Sequence, residues 1–305
     1  MTAGAMSYLV IVNPASGRGR APRRGQAFAK ALASTDRVEL LETAHRGAAT
    51  ELVAERAGRV DRVIAIGGDG TLNEVLSGLF ASGLEPPGMP ALGFLPAGTA
   101  NAATRAFGFG ANPSAVARAL PTAEVRPVDV GIARSSTGER PFLLWCGAGF
   151  DAVVVESMTV TRTRFMGVSG LAARVPRILG DLVRYDPPAI ELEVDGTPQA
   201  VASSVIMANV GEVAFGGSVA EHADPFDGKV DVVALPTAAR FALARMSVSL
   251  VTGSLTRLRD VRHLLATDVE LRSEGEVPVQ IDGEPAGTLP LSVRLQEGAI
   301  RLLLT

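Results

Sequence analysis

Val63-Ile64-Ala65-Ile66-Gly67-Gly68-Asp69-Gly70-Thr71-Leu72-Asn73-Glu74 is the stretch whose reading decides the fold. Val63 to Ile66 is a short apolar run of strand type. Leu72, Val75, Leu76, Leu79 and Phe80 then recur at the spacing of one helix face. The glycines therefore stand where a strand stops and a helix starts. Backbone without a Cβ can turn tightly there or approach a ligand closely. The unpaired N–H groups of a helix start favour an anion, and phosphate is the obvious guest. Thr71 and Glu74 have the spacing of a capping box, which supports the helix start. An ordinary strand–turn–helix connection reads the same way, and this stretch alone does not separate the two.

Outward from it, strand and helix alternate. Ser7 to Val12 reads as a first strand, ending in Asn13-Pro14-Ala15-Ser16-Gly17-Arg18-Gly19-Arg20. A helix follows over about 22–32, then a strand over 38–42 closed by Thr43, then a helix through Val53. Beyond the central stretch, Ala91 to Leu95 is a fourth strand, ending in Pro96-Ala97-Gly98-Thr99-Ala100-Asn101. This alternation predicts a parallel sheet with helices on both faces. Ligands of such sheets bind beyond the carboxyl ends of the strands. Four polar segments fall at such ends: Asn13 to Gly19, Thr43, Gly67 to Thr71, and Gly98 to Asn101.

The pattern changes near Glu124. Strands are predicted over 128–134, 142–146, 190–194, 201–208, 230–235, 269–272, 277–281, 291–295 and 300–304. Asp195-Gly196, Asp227-Gly228 and Asp282-Gly283 are turn signals among them. This half reads as an antiparallel β domain with helical insertions at about 164–184 and 238–251. The expected division is an α/β domain over 1–127 and a β domain over 128–296. The last strand, about 297–305, could return to the first domain.

With 305 residues, 47% of them hydrophobic, the chain can bury two cores. A formal net charge of -3 gives no whole-molecule attraction to nucleic acid, which is not an expected partner. The single cysteine, Cys146, precludes an intrachain disulfide and reads as a buried packing residue. His45, His222 and His263 lack zinc-like spacing. Tyr8 to Val12 reads as a strand rather than a signal peptide, and no apolar run has the length of a membrane span. A soluble, cytoplasmic protein is expected, with any membrane contact peripheral and at the inner face. Neither a Walker A sequence nor a protein-kinase catalytic loop is present. Gly147-Ala148-Gly149-Phe150-Asp151-Ala152 is a weak dinucleotide-like pattern with no clear βαβ unit after it.

Five motifs occur in order: Asn13-Pro14-x-Ser16-Gly17, Gly67-Gly68-Asp69-Gly70-Thr71-x-Asn73-Glu74, Pro96-x-Gly98-Thr99-x-Asn101, Gly147-x-Gly149-Phe150-Asp151-Ala152 and Asp282-Gly283-Glu284. Together they resemble the diacylglycerol kinase catalytic family, which includes bacterial soluble lipid kinases and the sphingosine and ceramide kinases. NAD kinases and phosphofructokinase-like folds share the Gly-Gly-Asp-Gly element alone. The resemblance implies a Rossmann-like N-terminal nucleotide domain of that kind and a C-terminal antiparallel β-sandwich. It implies ATP- and Mg2+-dependent phosphorylation of a lipid hydroxyl at a membrane surface. The implied ATP-binding positions are Asn13, Ser16, Thr43, Gly67, Gly68, Asp69, Gly70, Thr71, Leu72, Asn73, Glu74, Gly98, Thr99 and Asn101. Asp69 is the implied residue for orienting Mg2+. Glu284 is the implied proton acceptor, with Asp282 a partner in its charge network. A second, structural Mg2+ is implied at the Asp227 carboxylate and the carbonyls of Asp224 and Lys229, an oxygen-only set that suits a hard cation.

Pattern alone reads both Asp282-Gly283 and the Asp224-Pro225-Phe226-Asp227-Gly228 segment as hairpin turns. One departure matters: the family usually has an aspartate where this chain has Ala102, so the polar network there must differ. The stretch from Arg164 to Tyr185 sets Leu171, Val175, Ile178, Leu179 and Leu182 against Arg174, Arg177 and Arg184. It reads either as a helix packed on the β domain or as a basic lip resting on anionic membrane. Two alternatives to a lipid kinase stay open: a kinase of a small soluble metabolite such as NAD, and an inactive nucleotide-binding scaffold. Asp69 and Glu284 together weigh against the scaffold. A homodimer is compatible with every one of these readings.

Overall fold

The computed structural model describes residues 5–33, 36–98, 101–160, 180, 186, 188–211, 218–235 and 261–304. The chain divides into two compact units, Met1–Val128 with Gly298–Thr305, and Asp129–Glu297.

The first unit contains β1 (Ser7–Val12), α1 (Ala21–Leu32), β2 (Arg37–Glu42), α2 (Ala48–Arg56), β3 (Arg62–Gly67), α3 (Asp69–Ala81), β4 (Ala91–Pro96), α4 (Ala102–Phe107) and α5 (Pro113–Ala119). The strands lie in the order β2-β1-β3-β4. Each neighbouring pair is parallel. β3 and β4 are buried at every position, because both faces of a parallel sheet are covered. On one face Tyr8, Val10, Val12, Ile64 and Ile66 pack with Phe28 and Leu32 of α1 and Val116 of α5. Parallel register leaves Asn13, Thr43, Gly68 and Ala97 each just past a strand's carboxyl end, as the alternation predicts.

The second unit takes in most of β5 (Glu124–Ser135), then β6 (Gly138–Phe142), β7 (Trp145–Ala148), α6 (Phe150–Val160), β8 (Glu191–Val194), β9 (Thr197–Pro198), β10 (Ser204–Ala208), β11 (Val230–Leu235), β12 (Arg262–Ala266), β13 (Asp268–Arg272), β14 (Pro278–Ile281) and β15 (Glu284–Thr288). The long strand β16 (Leu291–Leu304) begins here, and in the first unit its Leu302 stands opposite Leu92 of β4. One antiparallel sheet runs β12-β11-β10-β7-β14-β15. Against it lie β8, β13 and the start of β16, also antiparallel. Cys146, Met207, Val232 and Val279 from the first layer share one core with Leu192, Leu271 and Val293 from the second. This is a β-sandwich.

Several sequence expectations are corrected here. The strand expected over 142–146 is two strands, broken at Leu143 and Leu144. The amides of Leu143, Leu144 and Trp145 all donate to the Asp282 carboxylate, which draws the backbone out of the ladder. The strands expected over 291–295 and 300–304 are one continuous strand. A helix, α6, does follow the Gly147 motif, but both neighbours of β7 are antiparallel, so it forms no βαβ unit. β9, β12, β15 and all of β6 but Phe142 lie outside the strands expected from the sequence. The expected helical insertions at 164–184 and 238–251 lie outside the described residues. Among the described residues, no helix is long and apolar enough to cross a membrane.

Candidate active site

In the first unit, β3 delivers Gly67 and Gly68 directly into α3. The carbonyl of Gly67 accepts the amides of Ala97 and Gly98, at 2.6 and 3.0 Å. This ties the glycine loop to the loop after β4. A Cβ on Gly98 would lie 2.5 Å from the Gly68 Cα, and one on Gly67 would lie 2.3 Å from Thr71 Oγ1. Neither position has room for a side chain. Asn13 stitches in the loop after β1. Its amide donates to Ile66 O at 3.0 Å, its Nδ2 to Thr71 Oγ1 at 3.1 Å, and its Oδ1 accepts Ala15 N at 3.0 Å. Ser16 donates its amide to Asn13 O, and Thr43 to Val12 O. Three of the polar segments are thus bonded into one surface, and Thr43 closes the β2 edge beside them. Leu72 and Asn73 are both buried at 2% exposure, Leu72 as part of the core. Thr99 lies outside the described residues.

α3 starts at Asp69, two residues before Thr71, and no side chain caps it. The expected capping box is therefore not formed. Thr71 is held by Asn13 instead. Glu74 reaches sideways: its carboxylate accepts Gly47 N at 3.0 Å and Ala49 N at 3.4 Å. It serves as the cap of α2, whose own N-cap residue is the glycine Gly47. With no side-chain cap, the first turn of α3 closes on the Gly68 carbonyl, which accepts Thr71 N at 2.9 Å and Leu72 N at 3.1 Å.

Asp69 is largely buried, and its carboxylate accepts Ala102 N and Ala103 N, each at 3.1 Å. Burial pushes its pKa up, while the amides of Ala103 and Ala102 and the charge of Arg105 partly oppose this. Ala102 itself is fully buried. Its backbone, which any residue could supply, makes the contact to Asp69. Next to it Asn101 adopts a left-handed conformation at φ 46°, an uncommon state for a non-glycine residue. Its Nδ2 donates to Gly98 O at 2.9 Å, and its Oδ1 is buried with no hydrogen-bond partner. An orphaned oxygen, a carboxylate, a helix start and a cradle closed to side chains fit a nucleotide phosphate chain with a hard cation.

In the second unit, Asp282 and Gly283 are a two-residue hairpin turn joining β14 to β15, with φ of 48° and 75°. Positive φ at both residues is the primed turn that hairpins favour. The Asp282 carboxylate accepts Leu143 N, Leu144 N and Trp145 N at 3.0–3.1 Å, and its amide donates to Trp145 O at 2.9 Å. Its work is to anchor the turn. Glu284, the first residue of β15, is half-buried and lies 3.5 Å from Nη2 of Arg140 on β6. Sequence reading missed Arg140, because nothing local links a strand arginine to a glutamate 144 positions away; only the sheet brings them together.

The Gly147 motif finds its place beneath that turn. Asp151, at the start of α6, accepts Gln280 Nε2 at 2.9 Å and Ser204 Oγ at 3.5 Å. Gln280 Oε1 in turn accepts the Gly283 amide at 2.9 Å. Burial raises the Asp151 pKa to about 6, against the pull of Gln280, the Ala152 amide and Ser204. Cys146 is fully buried, and burial holds its thiol well above the usual range.

The 224–229 loop folds on two carboxylates of its own and on that of Asp129 from β5. Asp224 Oδ1 accepts Phe226 N at 3.1 Å, Asp227 Oδ1 accepts Lys229 N at 2.9 Å, and Asp129 Oδ2 accepts Gly228 N at 2.8 Å. Among the described residues, no group of three or more His, Cys, Asp or Glu side chains is arranged to hold a metal.

The diacylglycerol kinase catalytic domain matches residues 7–133, and the YegS C-terminal NAD kinase beta sandwich-like domain matches residues 145–304. A diacylglycerol kinase of Mycobacterium tuberculosis is 28% identical over 300 residues, covering 96% of this chain and 93% of that protein. A diacylglycerol kinase of Bacillus subtilis is 26% identical over 287 residues, covering 92% and 90%. The crystal structure of a diacylglycerol kinase from Bacillus anthracis superposes with a TM-score of 0.73 at 23% identity, over 100% of this chain and 98% of that one. At that identity the superposition speaks for the fold. With both domains matched, from residue 7 to residue 304, the chain belongs to the diacylglycerol kinase catalytic family of ATP-using lipid kinases.

Proposed function

We propose that this protein transfers the γ-phosphoryl group of ATP to the hydroxyl of a membrane-resident, diacylglycerol-like lipid. The observation that carries the reading is the held Asp69 carboxylate beside the orphaned Asn101 oxygen, at the start of α3. In this reading the amides at the start of α3 bind the nucleotide phosphates. Asp69 and Asn101 supply oxygens for Mg2+, directly or through water. Bound there, Mg2+ would neutralise charge on the phosphates. The loop at Asp224, Asp227 and Lys229 is the proposed place for a structural Mg2+.

Glu284 accepts the proton of the lipid hydroxyl in this account. The hydroxyl oxygen bonds to the γ-phosphorus as the bond from that phosphorus to the β–γ bridging oxygen breaks. ADP leaves with the electron pair, and the proton rests on Glu284. Arg140 fixes the direction of the Glu284 carboxylate. Asp282, Gln280 and Asp151 hold the turn that carries it. The proposal concerns the acceptor class and not the headgroup.

A panel of lipid acceptors in vesicles, with labelled ATP and products resolved by mass spectrometry, tests the reading. A phosphorylated lipid that requires Mg2+ is expected. Phosphorylation of a water-soluble acceptor such as NAD, with no lipid product, would replace the reading with a metabolite kinase.

A further inference from the structure

We propose that the first unit carries a second binding site, for a small carboxylate or phosphate anion with a short apolar body. It lies at the amino ends of the strands, the sheet edge opposite the glycine loops. A cavity of about 240 Å³ opens there, lined by Asp61, Arg62, Met89, Val125 and Arg301 among others. Arg62 is the first residue of β3, whereas Gly67, under the nucleotide loop, is the last. The site is therefore separate from the candidate active site and owes nothing to its assignment.

Two guanidinium groups define the chemistry. Arg62 is only 8% exposed, and its charge sits 5.7 Å from the centre of the Tyr8 ring. Nη1 donates to the Tyr8 hydroxyl at 3.3 Å and to Leu120 O at 2.5 Å. Arg301 donates from Nη2 to the Met89 carbonyl, and its Nε is buried with no partner. A buried guanidinium donor left without an acceptor, as Arg301 Nε is, is costly unless a ligand or water completes it. The fork of N–H groups matches the paired oxygens of a carboxylate or a phosphate.

The one acid in the cavity does not cancel this charge. Asp61 Oδ2 already accepts the Ser7 amide at 2.8 Å and the Ser7 hydroxyl at 2.6 Å. Those bonds, the Ser7 hydroxyl first, hold its pKa below the ordinary value. Two cations against one satisfied anion leave the cavity positive. Met89 and Val125 supply an apolar wall, and Val125 is 41% exposed at its mouth. Drug-sized ligand pockets usually run from about 300 Å³ upward, so this cavity suits a small metabolite rather than a nucleotide or a diacyl lipid.

Calorimetric titration of the full chain with inorganic phosphate and with isobutyrate, both under saturating Mg2+ and ADP, tests the proposal. ADP fills the α- and β-phosphate positions of the glycine loop, and phosphate bound beside it at the γ position would be indifferent to Arg301→Gln. One saturable site is expected for at least one probe. Tighter binding of isobutyrate would identify a carboxylate ligand, and tighter binding of phosphate a phosphate ester. Arg301→Gln should weaken binding by at least about tenfold with ADP affinity unchanged. Val125→Glu places a carboxylate at the exposed mouth, away from the core, and should weaken it similarly should Arg301→Gln not fold. No saturable site for either probe, or a site indifferent to the folded variants, would overturn the proposal.

Discussion

The carboxylate of Asp69 accepts the backbone amide of Ala102 at 3.1 Å, across 33 positions of sequence. The residue assigned to Mg2+ is thus also the N-terminal cap of α4. The two roles are compatible, since each carboxylate oxygen can accept more than one bond. They also make the alanine at 102 intelligible. The contact needs only a backbone N–H, and the buried methyl fills space.

Asp69→Ala is expected to lose both roles. Mg2+-dependent turnover should fall by roughly 100-fold or more. Loss of the α4 cap should cost about 1 kcal/mol of stability, read as a lower urea midpoint. A folded Asp69→Ala protein with full activity would sink the metal assignment.

Glu74→Ala separates structure from function at the other end of the motif. Its carboxylate caps α2 rather than α3, so stability should fall by about 1 kcal/mol while ATP affinity stays unchanged. A large drop in ATP affinity with no loss of stability would restore Glu74 to the nucleotide site.

Asp282→Ala removes the acceptor for three buried amides at once. A loss of about 3 kcal/mol or more is expected, measured by denaturant unfolding. Glu284→Gln should cost far less, because the amide keeps the side chain's shape and weakens a 3.5 Å ion pair with Arg140 rather than stranding three buried amides. Equal losses at both positions would contradict the division into anchor and base.

Stability should also carry the signature of Asp151. Its folded pKa of about 6 lies above the ordinary 3.8. Between those values the folded state holds a proton that the unfolded chain has released, so stability falls as pH rises through this window. At about 1.4 kcal/mol per pH unit the fall is about 3 kcal/mol in all. The contribution is fully present below about pH 4 and gone above about pH 6. In Asp151→Asn the slope between pH 4 and 7 should flatten, as thermal melts across pH would show. A slope identical to wild type would mean that Asp151 is ionised throughout.

What was legible in the sequence follows from range. The glycine loop, its strand and its helix were readable because Val63 to Ile66 and Leu72 to Phe80 carry two local periods that meet at Gly67 and Gly68. The parallel sheet followed from alternation, but its strand order did not. The capping box failed because Thr71 and Glu74 have better partners 58 and 27 positions away. The break at Leu143 and Leu144 was invisible for the same reason, since its cause is Asp282. Arg140 and Gln280 took their meaning only from strand pairing. The Asp-Gly pair at 282–283 was read both as a turn and as part of a site. The hairpin is there, and its positive-φ turn is what presents Glu284 at the head of β15.

The central claim, that Glu284 takes the proton of a lipid hydroxyl in a Mg2+- and ATP-dependent transfer, meets its most direct test in one comparison. Turnover of diacylglycerol in vesicles would be measured for wild type and Glu284→Gln, with ATP affinity determined on the same preparations. The amide keeps the shape of the side chain and removes its capacity to accept the proton. The account predicts that kcat falls by roughly 100-fold or more while ATP affinity is unchanged. A kcat for Glu284→Gln within about threefold of wild type would contradict it, because a general base contributes at least about 100-fold.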